Sequence, residues 1–152
     1  MNNSMDPGAA QQGTFLEDMA VGMSAELART VEAADILMFA EVSGDTNPVH
    51  LDEDFAKATI FKGRVAHGML SAGYLSAIFG TKLPGPGGIY LSQNLKFTAP
   101  VRIGDTVLAR VEVADIDAKR GRVRFDCLCS VAGKAVIKGE AELLVPRRDD
   151  QT

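Results

Sequence analysis

The stretch His67-Gly68-Met69-Leu70-Ser71-Ala72-Gly73-Tyr74-Leu75-Ser76-Ala77-Ile78-Phe79 decides the fold of this chain. Its apolar residues surround a helix on nearly every side, so the helix is expected to be enclosed by other structure and not to lie on a surface. A cluster of turn formers, Leu83-Pro84-Gly85-Pro86-Gly87-Gly88, breaks it. Four valine-rich runs follow, at about 89–97, 105–115, 122–131 and 134–145, with Lys119-Arg120-Gly121 and Ala132-Gly133-Lys134 as turn signals between them. Upstream, 23–30 suits a strand, and Thr30 then offers an N-cap for a helix over 31–43, with Glu32 and Asp35 near its positive end. A short helical turn is expected over 52–57. The pattern is α+β, a mainly antiparallel sheet around one long helix.

Length and composition bound what such a fold can be. With 152 residues, 46% of them hydrophobic, the chain fits one domain with a real core. That domain is expected over 14–146, between a polar, flexible tail at 1–13 and a charged tail at 147–152. A net charge of −4 without a dense basic stripe argues against nucleic acid as a partner. No apolar run is long enough to span a bilayer, and the amino end lacks the basic and apolar regions of a signal peptide, so no membrane association and a cytoplasmic location are expected. Cys127 and Cys129 alternate on a strand with Phe125, which reads as a reduced pair in the core and not as a zinc site. The breaker at 83–88 lacks the lysine and serine or threonine that end a phosphate loop.

Chemistry concentrates in Phe39-Ala40-Glu41-Val42-Ser43-Gly44-Asp45-Thr46-Asn47-Pro48-Val49-His50. Gly44 is well suited to end the preceding helix in a left-handed conformation, and Pro48 pushes Asn47 into an extended one. The sharp turn that results could bring the carboxylate of Asp45 and the imidazole of His50 to one small volume, around a water that loses one proton and supplies another. Each residue type here also favours turns for its own reason, so a plain turn fits the same letters.

Taken with the histidine-glycine-methionine start at His67, Gly68 and Met69 and the run Ile89-Tyr90-Leu91-Ser92-Gln93-Asn94-Leu95-Lys96-Phe97, the segment Asp45-x-Asn47-Pro48-x-His50 resembles the signature of the MaoC-like (R)-specific enoyl-CoA hydratases. The resemblance covers roughly 14–146 and implies a hot-dog fold, with the sheet wrapped around the helix that begins at Gly68. It implies hydration of a trans-2-enoyl thioester by a water held between Asp45 and His50, and an oxyanion donor at the Gly68 N–H, where a helix start presents unpaired donors. Asn47 is expected to orient the corner. His67, just before the helix, is better suited to capping or packing than to catalysis.

From Gly68, residues Ala72, Leu75 and Phe79 share one helix face and are expected to line the acyl pocket, with Ser76 also facing it. Phe79, the bulkiest, should limit chains to about four to six carbons, since longer ones would displace packed side chains at about 1–3 kcal/mol. No metal and no cofactor are expected, coenzyme A being part of the substrate. A homodimer is expected, because a single sheet leaves strand edges and an apolar flank uncovered, and the resemblance puts the acyl tunnel along that interface. Dehydration of an acyl group on carrier protein is the nearest alternative reading. A hot-dog thioesterase is disfavoured because no Asp or Glu lies between Gly68 and Phe79, and a non-catalytic acyl-thioester binding module would leave Asp45 and His50 idle.

Overall fold

A computed structural model describes residues 12–151. Five strands form one antiparallel sheet: β1 (Ser24–Thr30), β2 (Ile89–Phe97), β3 (Thr106–Asp117), β4 (Arg122–Val131) and β5 (Lys134–Leu144), in the order β1-β3-β4-β5-β2. The helices are α1 (Ala33–Ser43), the short α2 (Pro48–Leu51) and α3 (Glu53–Lys57), and the long α4 (Gly68–Thr81), which packs on the sheet. Alternation sets the two faces of the sheet. On β3, Val107, Ala109, Val111 and Val113 are buried, and on β4 so are Val123, Phe125, Cys127 and Cys129. Cross-strand partners such as Val111 and Cys127, or Val113 and Phe125, lie on this inner face and meet Leu75, Ile78 and Phe79 of α4 in one core. Burial pushes the Cys127 thiol up to about 11 and that of Cys129 to about 12, so both stay protonated inside the core.

The outer face is a ladder of opposite charges. Arg110 bonds Glu26 at 3.0 Å and Glu112 at 2.9 Å, and Arg122 bonds Glu142 at 2.9 Å. Such exposed pairs stabilise little, and strand register is specified by the alternation that buries the other face.

Three expectations change against this frame. Thr30 does not cap α1: its hydroxyl is 2.8 Å from that of Thr106 at the end of the β1–β3 ladder, and Glu32 is the N-cap, its N–H donating to Asp35 Oδ2 at 2.8 Å. The helix starts at residue 33 and not at 31, because Val31, fully buried, still donates its N–H across to Asp105 O at 2.9 Å. Residues 147–151, expected as part of a loose tail, form a short 3-10 turn at Arg148–Gln151 that is tied down. Arg148 donates to Asp18 Oδ2 at 2.6 Å and lies 5.0 Å over the Phe15 ring, and Arg147 donates to the carbonyls of Ala118 and Lys119. The amino-terminal tail lies, but for residues 12 and 13, outside the described residues. The third change concerns α4. Ser71, Tyr74, Leu75, Ile78 and Phe79 are buried, but Met69, Gly73, Ser76 and Gly80 form an exposed stripe, so one protomer does not enclose this helix.

The tightest point of the sheet lies between β2 and β5. A Cβ added at Gly139 would meet the Asn94 carbonyl oxygen at 1.9 Å, a backbone atom that cannot move without unpairing the strand. Gly139→Ala is therefore expected to lower unfolding stability by about 1–3 kcal/mol or more, measured by urea denaturation. An unchanged midpoint would show that β2 shifts freely.

Candidate active site

Local hydrogen bonds shape the segment that carries Asp45. Gly44 closes α1 in a left-handed conformation at φ 78°, its N–H on Ala40 O at 2.9 Å. Ser43 Oγ accepts from Asp45 N at 3.2 Å, Asp45 Oδ1 from Asn47 N at 3.2 Å, and Asn47 Oδ1 from Val49 N at 3.1 Å. Asn47 is thus the N-cap of α2, with Pro48 in its first turn, where the missing N–H costs nothing. Asn47, expected to orient the corner, caps the turn that carries His50.

α2 then brings His50 against the loop that leads into α4. Val65 N donates to Val49 O at 3.3 Å, Arg64 Nε to His50 O at 2.7 Å, and His50 Nδ1 lies 2.7 Å from Val65 O. A carbonyl only accepts, so Nδ1 carries the hydrogen and Nε2 of the neutral ring is the free acceptor. Ala66 N, on Val101 O at 2.7 Å, anchors the same loop to the sheet side.

The loop ends at His67, and here the structure adds a residue. The His67 ring stacks on that of His50, centroids 3.8 Å apart. Its Nε2 lies 2.9 Å from Asp45 O and 4.0 Å from Asp45 Oδ2. Asp45, His50 and His67 each present a ligating atom within 4.8 Å of the others, a grouping the expectation of no metal cluster did not foresee. One imidazole nitrogen of each ring is already committed to a carbonyl, which leaves His50 Nε2 and the Asp45 carboxylate as the accessible acceptors. A ring nitrogen of His50 and a carboxylate oxygen of Asp45 lie within 4.8 Å, a separation that one water making two bonds of about 2.8 Å can bridge.

Beside this group opens a cavity of about 440 Å³, lined by Asn47, His50, Gly68 and Ser71 and walled by apolar side chains such as Phe97 and Ile137. Gly68 is the first residue of α4, so no carbonyl within the helix can take its N–H. A Cβ on Gly68 would meet the Phe97 ring at 2.4 Å, so only glycine lets the helix start and the cavity wall come this close.

The pocket residues expected further along α4 divide. Ala72 and Ser76 line a separate groove of about 370 Å³ between α4 and β2, with Met69, Tyr90, Gln93 and Leu95. Leu75 and Phe79 line neither space. They point into the sheet, where Phe79 meets Phe125 edge-on at 4.9 Å and Tyr90 at 5.2 Å. Phe79 therefore reaches the groove only through its contact with Tyr90, which lines it. Burial pushes the Tyr90 hydroxyl up to about 12, and it donates to Gln93 Oε1. Ser71, which sequence reasoning passed over, is the α4 side chain that lines the cavity. The tendency of helical side chains to lean toward the N-terminus, which places residue 71 over the first turn, was the signal that could have found it.

An antiparallel sheet wrapped on one long helix, with a carboxylate and two imidazoles grouped near the helix start, is a hot-dog fold of the hydratase class. The MaoC like domain matches residues 15–132, and the chain belongs to this MaoC-like family. It is 56% identical over 134 residues to an (R)-specific enoyl-CoA hydratase of Rhodospirillum rubrum, covering 88% of this chain and 93% of that protein. It is 48% identical over 136 residues to a 3-hydroxybutyryl-CoA dehydratase of Methylorubrum extorquens, covering 90% and 87%. Among solved structures, R-hydratase PhaJ1 from Pseudomonas aeruginosa superposes with a TM-score of 0.85 at 45% identity, covering 90% of this chain and 88% of that one.

Proposed function

We propose that this chain is an (R)-specific enoyl-CoA hydratase, adding water reversibly to a trans-2-enoyl-CoA to give the (R)-3-hydroxyacyl-CoA. The observation that carries the reading is the meeting of the Asp45 carboxylate and the His50 ring beside a cavity whose wall includes His50 and Gly68, the first residue of α4. The names of the two relatives supply the coenzyme A thioester and, for the first, the (R) configuration.

The chemistry follows from the acceptors. A water between Asp45 and His50 Nε2 donates one hydrogen to each, which aims an oxygen lone pair at the substrate's β carbon. As the C–O bond forms, one acceptor takes a water proton and the electrons of the double bond move toward the thioester oxygen. The Gly68 N–H, reinforced by the positive end of the helix, stabilises the charge on that oxygen. Collapse of the enolate takes a proton at the α carbon from the group that received it, so water is added without net proton gain. Neither a metal nor a cofactor enters this sequence, coenzyme A being carried by the substrate. With both thiols free and buried, we place the protein in the cytoplasm; no helix among the described residues is long and apolar enough to cross a membrane.

The working unit is a homodimer. β2 is an edge strand with Ile89, Tyr90 and Leu91 exposed, and it lies beside the exposed stripe of α4 that carries Met69, 56% exposed, and Ser76. An unpaired edge next to an apolar stripe is what a second copy covers by joining its sheet to this one. The groove between α4 and β2 would then be roofed, and the acyl chain is proposed to run along it, with Ala72 and Ser76 as walls and Phe79, through Tyr90, as the floor. Leu75 supports that floor from the core.

Three measurements test this reading. Asp45→Asn and His50→Ala should each stay folded and lose about two to four orders of magnitude in kcat for crotonyl-CoA hydration, with the parent unaffected by EDTA; near-parental turnover in either variant rejects the pair. For chain length, kcat/KM over C4 to C12 trans-2-enoyl-CoAs should favour the short substrates, and Phe79→Ala should shift the optimum to longer ones. An unchanged profile would place the depth control elsewhere. Sedimentation should find a dimer at assay concentration, and a fully active monomer would remove the paired-sheet arrangement.

A further inference from the structure

His67 touches both members of the proposed dyad and nothing in the reaction requires it. It is 2% exposed, held between the His50 ring at 3.8 Å and the Phe39 ring at 4.7 Å. Its Nε2 faces the Asp45 carbonyl at 2.9 Å, so that nitrogen carries the hydrogen, while Nδ1 is buried without a partner. A residue that only filled space would be better as phenylalanine, since an unmet ring nitrogen in the interior costs stability. The imidazole has one use that phenylalanine lacks, the N–H that ties Asp45 to the head of α4. Asp45 needs such a tie. Its side chain is 50% exposed, and its other hydrogen bonds, to Ser43 and Asn47, stay within its own turn. The two histidines thus carry opposite hydrogens, His50 on Nδ1 toward Val65 O and His67 on Nε2 toward Asp45 O.

We propose that His67 is a positioning residue of this site, holding the Asp45 backbone by its Nε2 hydrogen and the His50 ring by its face, so that the two acceptors stay at water-bridging distance. The inference rests on the hydratase reading for its kinetic consequence but not for its structural one. His67→Phe keeps a stacking ring and removes the N–H; His67→Gln keeps an N–H donor and removes the ring. With crotonyl-CoA, His67→Phe should lose about 10- to 100-fold in kcat, the scale of a small misplacement of reacting groups, while KM stays within about threefold and the fold is retained. His67→Gln should recover a substantial part of that loss. A folded His67→Phe enzyme with parental kcat, or equal losses in the two variants, overturns the proposal. Should His67→Phe fail to fold, His67→Gln decides alone: activity well above that of Asp45→Asn supports the tie, and a folded protein as inactive as Asp45→Asn refutes it. If the parent protein does not hydrate crotonyl-CoA, the functional reading fails, and amide hydrogen exchange then judges the positioning. Exchange at the Asp45 and Asn47 amides should quicken in His67→Phe, or in His67→Ala should the former not fold, relative to His67→Gln, and equal protection in these variants overturns it.

Discussion

The packing of α4 into the inner face of the sheet is the constraint on which the rest of this structure depends. Leu75, Ile78 and Phe79 are pressed against the strand core that includes Val111 and Phe125, all nearly or fully buried. Burial of side chains of this size stabilises by roughly 1.5–3 kcal/mol each, far more than any exposed ion pair on the outer face. Because the helix is seated by its middle and end, its first turn has a fixed position. Gly68 then stands in the cavity wall, and His67 is carried into the interior just before it. The site is built on the end of the best-packed element, which is how a fold holds donors still without spending side chains on them.

Backbone carbonyls do the rest of the ordering. Val65 O and Asp45 O each take a hydrogen from one imidazole, and in doing so they decide which nitrogen of each ring remains an acceptor. The clasp between α2 and the loop at Arg64 and Val65 works in both directions, since the loop also donates to His50 O and Val49 O. The proposed pair is placed this way by backbone contacts, with no buried Asp, Glu, Lys or Arg among the described residues. The thiols of Cys127 and Cys129, in the core where Cys129 Sγ lies 3.8 Å from Ser71 O, are kept protonated by burial.

The exposed stripe of α4 and the edge of β2 show where a single chain is incomplete. A helix apolar on nearly every side is expected to be enclosed, yet Met69, Gly73, Ser76 and Gly80 face outward. The sheet can cover only one side of a helix that lies across it. The small residues among them, Gly73, Ser76 and Gly80, leave room for another backbone to approach, and the groove they border already has apolar walls.

Much of this was legible in the letters. The strands follow from alternation of apolar residues with period 2, and the end of α1 from Gly44; these depend on near neighbours and on one buried face, so the sequence alone determines them. The turn from Ser43 to Val49 was legible for the same reason, its side-chain hydrogen bonds spanning two residues at a time, whereas the His50 ring is set by Val65 O, fifteen positions away. What remained closed were contacts between distant segments. His67 meets Asp45 across 22 positions; Ser71 lines the cavity while Leu75 and Phe79, on a face that helix geometry shares with Gly68, go to the core; and the hydroxyls of Thr30 and Thr106 meet across 76 residues. Helical spacing says which side chains share a face, but only the packed sheet decides whether that face meets a cavity, a strand or solvent, because burial is settled by whatever the rest of the chain brings against it.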